Sequence, residues 1–348
     1  MSFEVNAEEG MLPKQISALL AAQYGDGNIL SIVPCSAGGN NRTFRVTTPS
    51  RAVAAKQYFR HEGDSRDRLD AEYSFLLYAS RVAHGQTPAP IAIDKSANFA
   101  IYEFVEGTPY VSSNIDWKLA SLAADFIIAL NKPEAKPYGI GLGTASEACF
   151  SIQDHLTLIS ARLDRLLSFE TRCDEDHEAK KIVEEAGGRW ADMINCIQKE
   201  TNAIGLNVTA PMESSQRCIS PSDFGFHNAL RQPDGTPRFL DFEYAGWDDP
   251  AKLAGDFFAQ IAIPVPGDLF DGFVDRIMSP FERPAELVER AILLRPAFLV
   301  KWCCIALNVF LPVNLARRKF ANPLLDEVAL KRSQLKKARD RLRAIEAL

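Results

Sequence analysis

Three side chains with oxygen atoms suited to phosphate chemistry lie within one short stretch of the chain. Asp223 opens the stretch, Asn228 follows five residues later, and Asp241 ends the second of two apolar segments. The segment 232–235, Gln-Pro-Asp-Gly, has the composition of a tight turn, so the stretch predicts a loop, a strand, a turn and a second strand. In such a hairpin the two acids and the amide can converge on one point. A metal-held phosphate and an attacking hydroxyl require that arrangement.

The N-terminal part of the chain carries a second set of residues suited to phosphate. Gly38 and Gly39, followed by Asn40, lie between two predicted strands. Backbone N–H groups of a glycine pair can approach a phosphate closely, although an isolated pair more often forms a simple tight turn. Lys56 ends a predicted strand and Glu72 lies sixteen residues later in a helical segment. A glutamate placed there can pair with the lysine and hold its ammonium against phosphate oxygens.

Apolar periodicity predicts the elements that position these residues. A short helix is expected at 12–24, and strand patterning occurs at residues 29–33, 43–46, 52–56 and 99–105. Helical patterning dominates afterwards, at residues 117–131, 152–167, 178–198, 251–263, 269–278, 284–308 and 323–347. Gly187-Gly188 is a candidate break in the third of these helices. The order predicts an α+β, two-lobed fold, with a β-rich lobe over 1–106 and a mainly helical lobe over 107–348.

Composition limits the classes of protein to which the chain can belong. It has 348 residues, 47% hydrophobic, enough for a large core. A net charge of −6 and a pI near 5.5 argue against nucleic-acid binding, which needs a basic surface. Seven cysteines without framework spacing, and no secretory signal, lead us to expect a cytoplasmic protein. The apolar run 297–313 contains Lys301, Asn308 and Pro312, which favours a buried helix over a membrane span. The oligomeric state is not indicated.

The ordered set of residues resembles the aminoglycoside phosphotransferase and choline kinase family, the small-molecule branch of the protein-kinase-like fold. The resemblance covers about residues 28–260. It is strongest at Asp223-x-x-x-x-Asn228 and over 241–250, Asp-Phe-Glu-Tyr-Ala-Gly-Trp-Asp-Asp-Pro. A protein kinase is a weaker alternative, because an Ala-Pro-Glu segment and a long activation loop are missing after Asp241.

The resemblance implies an ATP- and Mg²⁺-dependent transfer of phosphate to a hydroxyl of a small molecule, with GTP as the alternative donor. Asp223 would orient the acceptor hydroxyl and take its proton, and Asn228 and Asp241 would hold Mg²⁺. Lys56, held by Glu72, would contact the α- and β-phosphates. The loop of Gly38, Gly39 and Asn40 would cover the nucleotide, and the segment 102–105, including Glu103 and Val105, would offer backbone groups to adenine.

The acceptor would bind between the Asp223 loop and the C-terminal helices. The candidate residues there are Glu243, Tyr244, Trp247, Asp248, Asp249 and Trp302. Aromatic faces beside carboxylates suit a cationic aminoalcohol or aminoglycoside, and an aromatic ring can also stack on a sugar. Trp302 is equally compatible with ordinary core. The basic C-terminal helix is typical of a solvated helix face, with attraction to an anionic acceptor, partner or membrane surface as the alternative.

Three departures from the family pattern stand close to the predicted site. Pro221-Ser222 replace the usual His-Gly before the catalytic acid. Leu253 replaces a common aspartate, for which Asp256 is a candidate substitute, and Asn131 replaces a histidine at the end of the first C-lobe helix. None removes an acid or a metal ligand, which favours an enzyme. They also leave open a nucleotide-binding pseudokinase that acts as a scaffold or sensor.

Overall fold

Alternating strand residues build the N-terminal lobe. The structure, a computed structural model, describes residues 7–35, 41–59 and 66–346. Helix α1 (Ala7–Tyr24) is followed by β1 (Ser31–Pro34), β2 (Arg42–Thr47), β3 (Ala52–Gln57), α2 (Arg68–Val82), β4 (Pro90–Asp94) and β5 (Phe99–Glu103). The five strands form one antiparallel sheet in the order β1-β2-β3-β5-β4.

The two faces of this sheet have different roles. On β3, Val53 and Ala55 join a small core with Ile16 and Leu20 of α1. Because side chains alternate along a strand, Lys56 lies on the opposite face, where α2 supplies its partner. The alternation of side chains along β3 therefore places core residues on one face of the sheet and Lys56 on the other.

The chain enters the C-terminal lobe between β5 and a short strand, β6 (Thr108–Pro109), which pairs with the hairpin that follows the loop carrying Asp223. The remaining elements are α3 (Trp117–Asn131), α4 (Ile152–Leu167), α5 (Asp174–Ala203), β7 (Cys218–Ser220), β8 (Ala229–Arg231), β9 (Pro237–Phe239), β10 (Gly246–Asp248), α6 (Pro250–Ala259), α7 (Phe270–Met278), α8 (Pro284–Leu307), α9 (Pro312–Ala321) and α10 (Glu327–Ile345). Two small antiparallel sheets, β6-β8-β9 and β7-β10, carry the loops of the site.

Helix α8 is the centre of the C-terminal lobe and packs against α4, α5, α6, α7 and α10. Gly255 allows α6 to approach it closely, because a Cβ there would lie 2.0 Å from the ring of Phe298. Within the described residues, Pro284–Phe310 is the one helical segment long and apolar enough to cross a membrane, and 67% of its most apolar window is buried. Such burial is typical of a core helix.

A cluster of phenylalanines fixes the floor of the cleft. The rings of Phe126 and Phe239 stack with centroids 4.8 Å apart, and Phe224 meets Phe239 in a tilted arrangement at the same centroid distance. Phe242 stacks on Phe75 of α2 at 4.6 Å, which joins the two lobes. Phe224 and Phe242 each follow an acid of the predicted site, so burial of the rings orients the acids outward.

The predicted fold class is confirmed, and some elements differ from the sequence analysis. Helix α5 continues through Gly187-Gly188 without a break. Packing of α5 against α4, α8 and α10 outweighs the cost of about 1 kcal/mol for each glycine. Helix α9 was not predicted. It begins at Pro312, where the fixed φ of proline suits a first helical turn.

Candidate active site

Lys56 lies between two carboxylates. Its Nζ is 2.5 Å from Oε2 of Glu72 and 2.6 Å from Oδ1 of Asp241. Glu72 comes from α2, and Asp241 follows β9 of the C-terminal lobe, so one ammonium connects three parts of the fold. Lys56 and Glu72 are buried, whereas a third of the Asp241 side chain, 33%, is exposed to the cleft. The structure thus brings together three residues predicted from sequence.

The pKa values at this point follow from burial and mutual charge. Burial alone would lower the pKa of Lys56, but Asp241 and Glu72 raise it well above its usual range. Burial raises the pKa of the Asp241 carboxyl to about 6. The positive charge of Lys56 lowers this pKa, but the negative charges of Glu243 and Glu72 offset part of that effect. The carboxylates in this region therefore carry more negative charge than Lys56 alone balances.

Two further hydrogen-bonded groups support the Lys56 cluster; the sequence analysis missed Tyr58 and Arg68 and predicted Glu243 only as an acceptor contact. The hydroxyl of Tyr58 donates to Glu72 Oε2 at 2.7 Å and lies 2.6 Å from the hydroxyl of Tyr102. Because Tyr58 lies in the strand extension two residues after Lys56, its side chain reaches the same face. The Tyr58 hydroxyl therefore fixes the position of the Glu72 carboxylate, which in turn fixes the position of the Lys56 ammonium.

The second supporting group is a buried ion pair between Arg68 and Glu243. Arg68 lies 3.0 Å from Oε1 of Glu243, and Asn41 donates to its Oε2 at 2.8 Å. Arg68 precedes Glu72 by one helical turn, so the i, i+4 spacing was a readable signal that both face the cleft. Asn41 immediately follows the predicted nucleotide loop. Gly38, Gly39 and Asn40 themselves lie outside the described residues.

The loop between β7 and β8 holds Asp223. Its Oδ1 lies 3.1 Å from Nε2 of His227, and its backbone carbonyl accepts from the side-chain amide of Asn228 at 2.9 Å. Burial opposes ionisation, but His227 and Asn228 hold the pKa of the Asp223 carboxyl below its usual range. About a third of the side chain, 34%, remains exposed. Asp223 is therefore an open, ionised carboxylate with a fixed orientation.

Two of the departures from the family pattern have local structural explanations. Ser222 has φ 66°, a left-handed conformation that glycine adopts more easily. Asn131 bridges α3 to β7: its amide donates to the carbonyl of Ile219 at 3.0 Å and accepts from its N–H at 2.8 Å. A side-chain amide thus holds the strand that leads into the catalytic loop.

The donor chemistry of the cleft fits a magnesium ion. The amide nitrogen of Asn228 is used by Asp223, which leaves its oxygen for a metal, and Asp241 offers an exposed carboxylate. Magnesium prefers oxygen ligands and usually takes only one or two from protein, the others being phosphate and water. The described residues contain no group of three or more His, Cys, Asp or Glu placed to hold a metal. In the predicted site, nucleotide phosphates and water would complete the coordination begun by Asn228 and Asp241.

Three predicted acceptor residues have structural partners within the C-terminal lobe. Asp248 is buried and accepts from Lys252 at 2.7 Å and from two backbone N–H groups. Trp302 is buried and its indole donates to Asp256 at 2.8 Å. Trp247 is partly buried against the core, and its indole donates to the carbonyl of Gly139 at 3.1 Å. Their polar atoms have structural partners, so these side chains do not join Asp223.

The other predicted contacts have mixed positions. Tyr244 accepts from Arg68 at 2.6 Å beside Glu243, close to the Lys56 cluster. Asp249 is buried with His155 and Arg290, at 2.9 and 2.7 Å. Glu103 ends β5 and pairs with Arg238 of β9 at 2.7 Å, so its side chain joins the two lobes. Val105 is buried just beyond β5. The adenine-binding role of segment 102–105 stays a prediction.

Comparison with known proteins identifies the family. The model of the phosphotransferase enzyme family matches residues 31–252. No curated protein matches the sequence. Among solved structures, the choline kinase of Cryptosporidium parvum is 12% identical with a TM-score of 0.62, covering 96% of each chain. The ethanolamine kinase of Plasmodium vivax is 13% identical with a TM-score of 0.58, covering 97% of this chain and 90% of that one.

A spectinomycin phosphotransferase solved with ADP and spectinomycin is also similar, at 11% identity and a TM-score of 0.53, covering 93% of this chain and 98% of that one. These identities establish a shared fold. The family match extends over well over half of the sequence and includes Lys56, Glu72, Asp223, Asn228 and Asp241. The chain therefore belongs to the phosphotransferase enzyme family and has the two-lobed fold of small-molecule kinases.

Proposed function

We propose that this protein transfers the γ-phosphate of Mg²⁺-bound ATP, with GTP as the alternative donor, to a hydroxyl of a small molecule in the cytoplasm. The observation that carries the proposal is that Lys56, Glu72 and Asp241, from three different parts of the fold, meet at one point. Carboxylate oxygens of Glu72 and Asp241 both lie within 2.6 Å of the Lys56 ammonium. Beside it, Asp223 and Asn228 share a loop on the C-terminal lobe.

Each residue of the site has a distinct task in phosphate transfer. Lys56 would neutralise phosphate oxygens, and Glu72 would keep its ammonium in place. Asn228 and Asp241 would hold Mg²⁺, which neutralises charge on the transferred group. Asp223 would bind the acceptor hydroxyl and receive its proton. His227 would keep the Asp223 carboxylate in one orientation. Because the transition state is loose, orientation contributes more than early deprotonation.

The acceptor class draws support from the structural neighbours. Kinases of choline and ethanolamine, and a phosphotransferase of spectinomycin, share the fold, and all of these acceptors carry hydroxyl groups. A complex with AMP-PNP and Ca²⁺ in the neighbouring amicoumacin kinase supports a nucleotide with a divalent cation. We therefore propose a small alcohol as the acceptor here, and an aminoalcohol, a sugar and an aminoglycoside belong in the first screen.

Neutralising the two acids of the site should impair different steps, one nucleotide binding and the other phosphate transfer. Asp241→Asn should weaken Mg²⁺-dependent nucleotide binding by tenfold or more, about 1.4 kcal/mol, because a metal ligand is lost. Asp223→Asn should leave the nucleotide Kd nearly unchanged and lower phosphate transfer by about 10² to 10⁴, the usual contribution of a general base. Calorimetry of nucleotide binding and ADP release across an acceptor panel measure both effects.

Asp234→Asn is the matched control, since this exposed acid at the tip of the same hairpin bonds only to its own turn. It should behave as wild type. Protein that folds but binds no Mg²⁺-nucleotide would contradict the proposed function. Nucleotide binding without transfer to any acceptor would favour the pseudokinase alternative, which the departures at Pro221-Ser222 and Leu253 motivate.

A further inference from the structure

The basic residues of α10 divide into two groups with different surroundings. One group pairs with acids at the start of α5: Lys331 with Asp176 at 3.0 Å, Arg332 with Glu175 at 2.8 Å and Arg339 with Glu178 at 2.8 Å. Lys336 lines the surface groove between these two helices. This side of α10 is an ordinary charged helix face whose cations already face carboxylates.

The second group, Lys337 and Arg341, lies one helical turn apart and faces inward. Within the described ranges neither residue forms an ion pair. Arg341 donates to the carbonyl of Ala259 at 3.4 Å, a long hydrogen bond, and its Nε is buried without any partner among the described residues. A partly buried guanidinium with an unsatisfied donor is costly unless an acceptor is supplied from elsewhere.

Contacts of α6 connect Arg341 to the neighbourhood of the Asp223 loop. Arg341 bonds to Ala259, which precedes Gln260, and the Cγ of Gln260 lies 3.7 Å from where a Cβ on Gly225 would be. Gly225 lies two residues after Asp223 and against the ring of His227. The bond from Arg341 therefore ties α10 to the end of α6 that adjoins the loop carrying Asp223.

Helix α9 adds a third cation to this region. Arg318 is exposed, and no carboxylate lies within ion-pair distance of it among the described residues. Arg318 follows Arg317, whose guanidinium lies 5.6 Å from the Phe59 ring, and precedes Phe320, which packs on the same ring at 5.4 Å, so α9 holds Arg318 beside the end of β3. After burial, the charge of Arg318 is the second cause that lowers the pKa of Lys337. Arg318 also contributes to the field on Asp223, after burial, His227 and Asn228. Like charges repel each other and an anion bound between them relieves that repulsion, so this grouping favours an anionic ligand.

We infer that Arg318, Lys337 and Arg341, the cationic cluster, bind an anionic group of the acceptor. This inference rests on the proposed function and narrows it. The acceptor is an alcohol that also carries a phosphate or a carboxylate, and the cluster holds that group while its hydroxyl meets Asp223. A cationic aminoalcohol is repelled by the same three charges. Charge-assisted hydrogen bonds from Arg and Lys are the usual way to bind such anions.

A binding experiment tests the cluster without knowledge of the acceptor. The full chain is saturated with Mg²⁺ and AMP-PNP, which fills the nucleotide site, and its Tm is measured against sulfate, with chloride at equal ionic strength as the reference. Wild type should be stabilised specifically by sulfate. The double variant Arg318→Gln/Lys337→Gln should show an apparent sulfate affinity lower by about tenfold or more. Lys336→Gln, on the outer face, should match wild type. An equal sulfate response in all three proteins, or none in wild type, overturns the inference.

A kinetic experiment separates this inference from the proposed function. Matched acceptors are compared by ADP release: glycerol, glycerol 3-phosphate and glycerate, then glucose and glucose 6-phosphate, with ethanolamine as the cationic alcohol. Anionic members should have the higher kcat/KM, and the double variant should raise their KM by about tenfold with a smaller change in kcat. Preferred transfer to ethanolamine or to the neutral alcohols would contradict the anion-binding role of the cationic cluster but would still support the proposed phosphotransferase function. If no nucleotide binds or is consumed, the proposed function fails, and the difference in sulfate response between nucleotide-free wild type and the double variant still decides the anion site.

Discussion

At the scale of single residues, backbone strain is concentrated beside the two acids of the site. Ser222 and Asp241 have φ values of 66° and 64°, a region that costs about 1–2 kcal/mol for a residue with a Cβ. The buried rings of Phe224 and Phe242, which follow the acids, hold these backbones in place. The strain orients Asp223 and Asp241 toward the cleft while their neighbours stay in the core.

Ser222→Gly should stabilise the protein. Glycine removes the steric cost of the left-handed conformation and adds a smaller entropic cost in the unfolded chain, so we expect a net gain of about 0.5–1 kcal/mol. Ser222→Ala keeps the Cβ and serves as the control, with no comparable gain. Urea unfolding of the three proteins measures the difference. Equal stability of the glycine and alanine variants would show that the strain at Ser222 is not relieved by removing its Cβ.

Residue types and spacing predicted the pairing of Lys56 with Glu72, because each is a charged residue at the end or on one face of a recognisable element; the family resemblance placed Asp241 in the same cleft. They were insufficient for Trp302 and Asp248. The sequence of an aromatic or acidic residue is the same whether its polar atom contacts a ligand or a buried partner. Here Asp248 contacts a buried lysine, and Trp302 contacts a buried aspartate. Only the three-dimensional partners distinguish the two.

At the scale of elements, α9 joins the two lobes at the mouth of the cleft. The carbonyl of Phe320 accepts from Arg42 of β2 at 3.1 Å, and the guanidinium of Arg42 lies 4.4 Å from the Phe320 ring. The same ring meets Phe59, just after β3, edge to face at 5.4 Å. These contacts cross from the last part of the chain to the strands that flank the predicted nucleotide loop.

A double-mutant cycle should measure the strength of that junction. Phe59→Ala and Phe320→Ala should couple by about 0.5–1.5 kcal/mol, the range for an edge-to-face aromatic pair. The backbone bond from Arg42 remains in every variant. Leu324→Ala, at an almost fully exposed side chain (94%) just beyond α9, is the control and should change stability by less than about 0.5 kcal/mol. Additive effects of the two phenylalanine variants would mean that the rings do not hold the lobes together.

Sequence patterns predicted long elements better than short ones. Helices α3 and α4 were predicted at the residues where they occur, since their apolar stripes are continuous. Helix α9 was missed because ten residues with several charges and a proline at the start give little periodicity, and its position depends on Phe59 and Arg42 far away in the chain. Strands β7 and β10 were also not predicted. Each has three residues, and only their pairing with each other makes them strands.

At the scale of the whole molecule, the C-terminal lobe contains connected ion pairs around α8. Lys301 of α8 binds Asp256 of α6 at 2.7 Å, and Arg290 binds Asp249 at 2.7 Å. Glu147, in the loop before α4, pairs with Arg162. A pair of this kind adds little stability compared with apolar packing, but removing one partner leaves a buried charge and is costly. The integrity of the lobe therefore depends on the ionisation of these carboxyls.

Glu147 makes that dependence measurable. Its burial raises the carboxyl pKa, but Arg162 and Lys301 outweigh burial and lower the pKa from 4.5 to about 2. A depressed folded-state pKa means that the stabilisation is complete above about pH 4.5 and is lost as the pH falls toward 2.

Glu147→Gln should therefore lower the free energy of unfolding by about 3 kcal/mol at pH 7 and by less than half of that near pH 3. Urea unfolding of both proteins at the two pH values gives this difference, in which other titrating groups cancel. Glu170→Gln, at an exposed glutamate, should change nothing at either pH. A Glu147→Gln penalty that is the same at pH 7 and pH 3 would show that the ionised carboxylate does not stabilise the lobe.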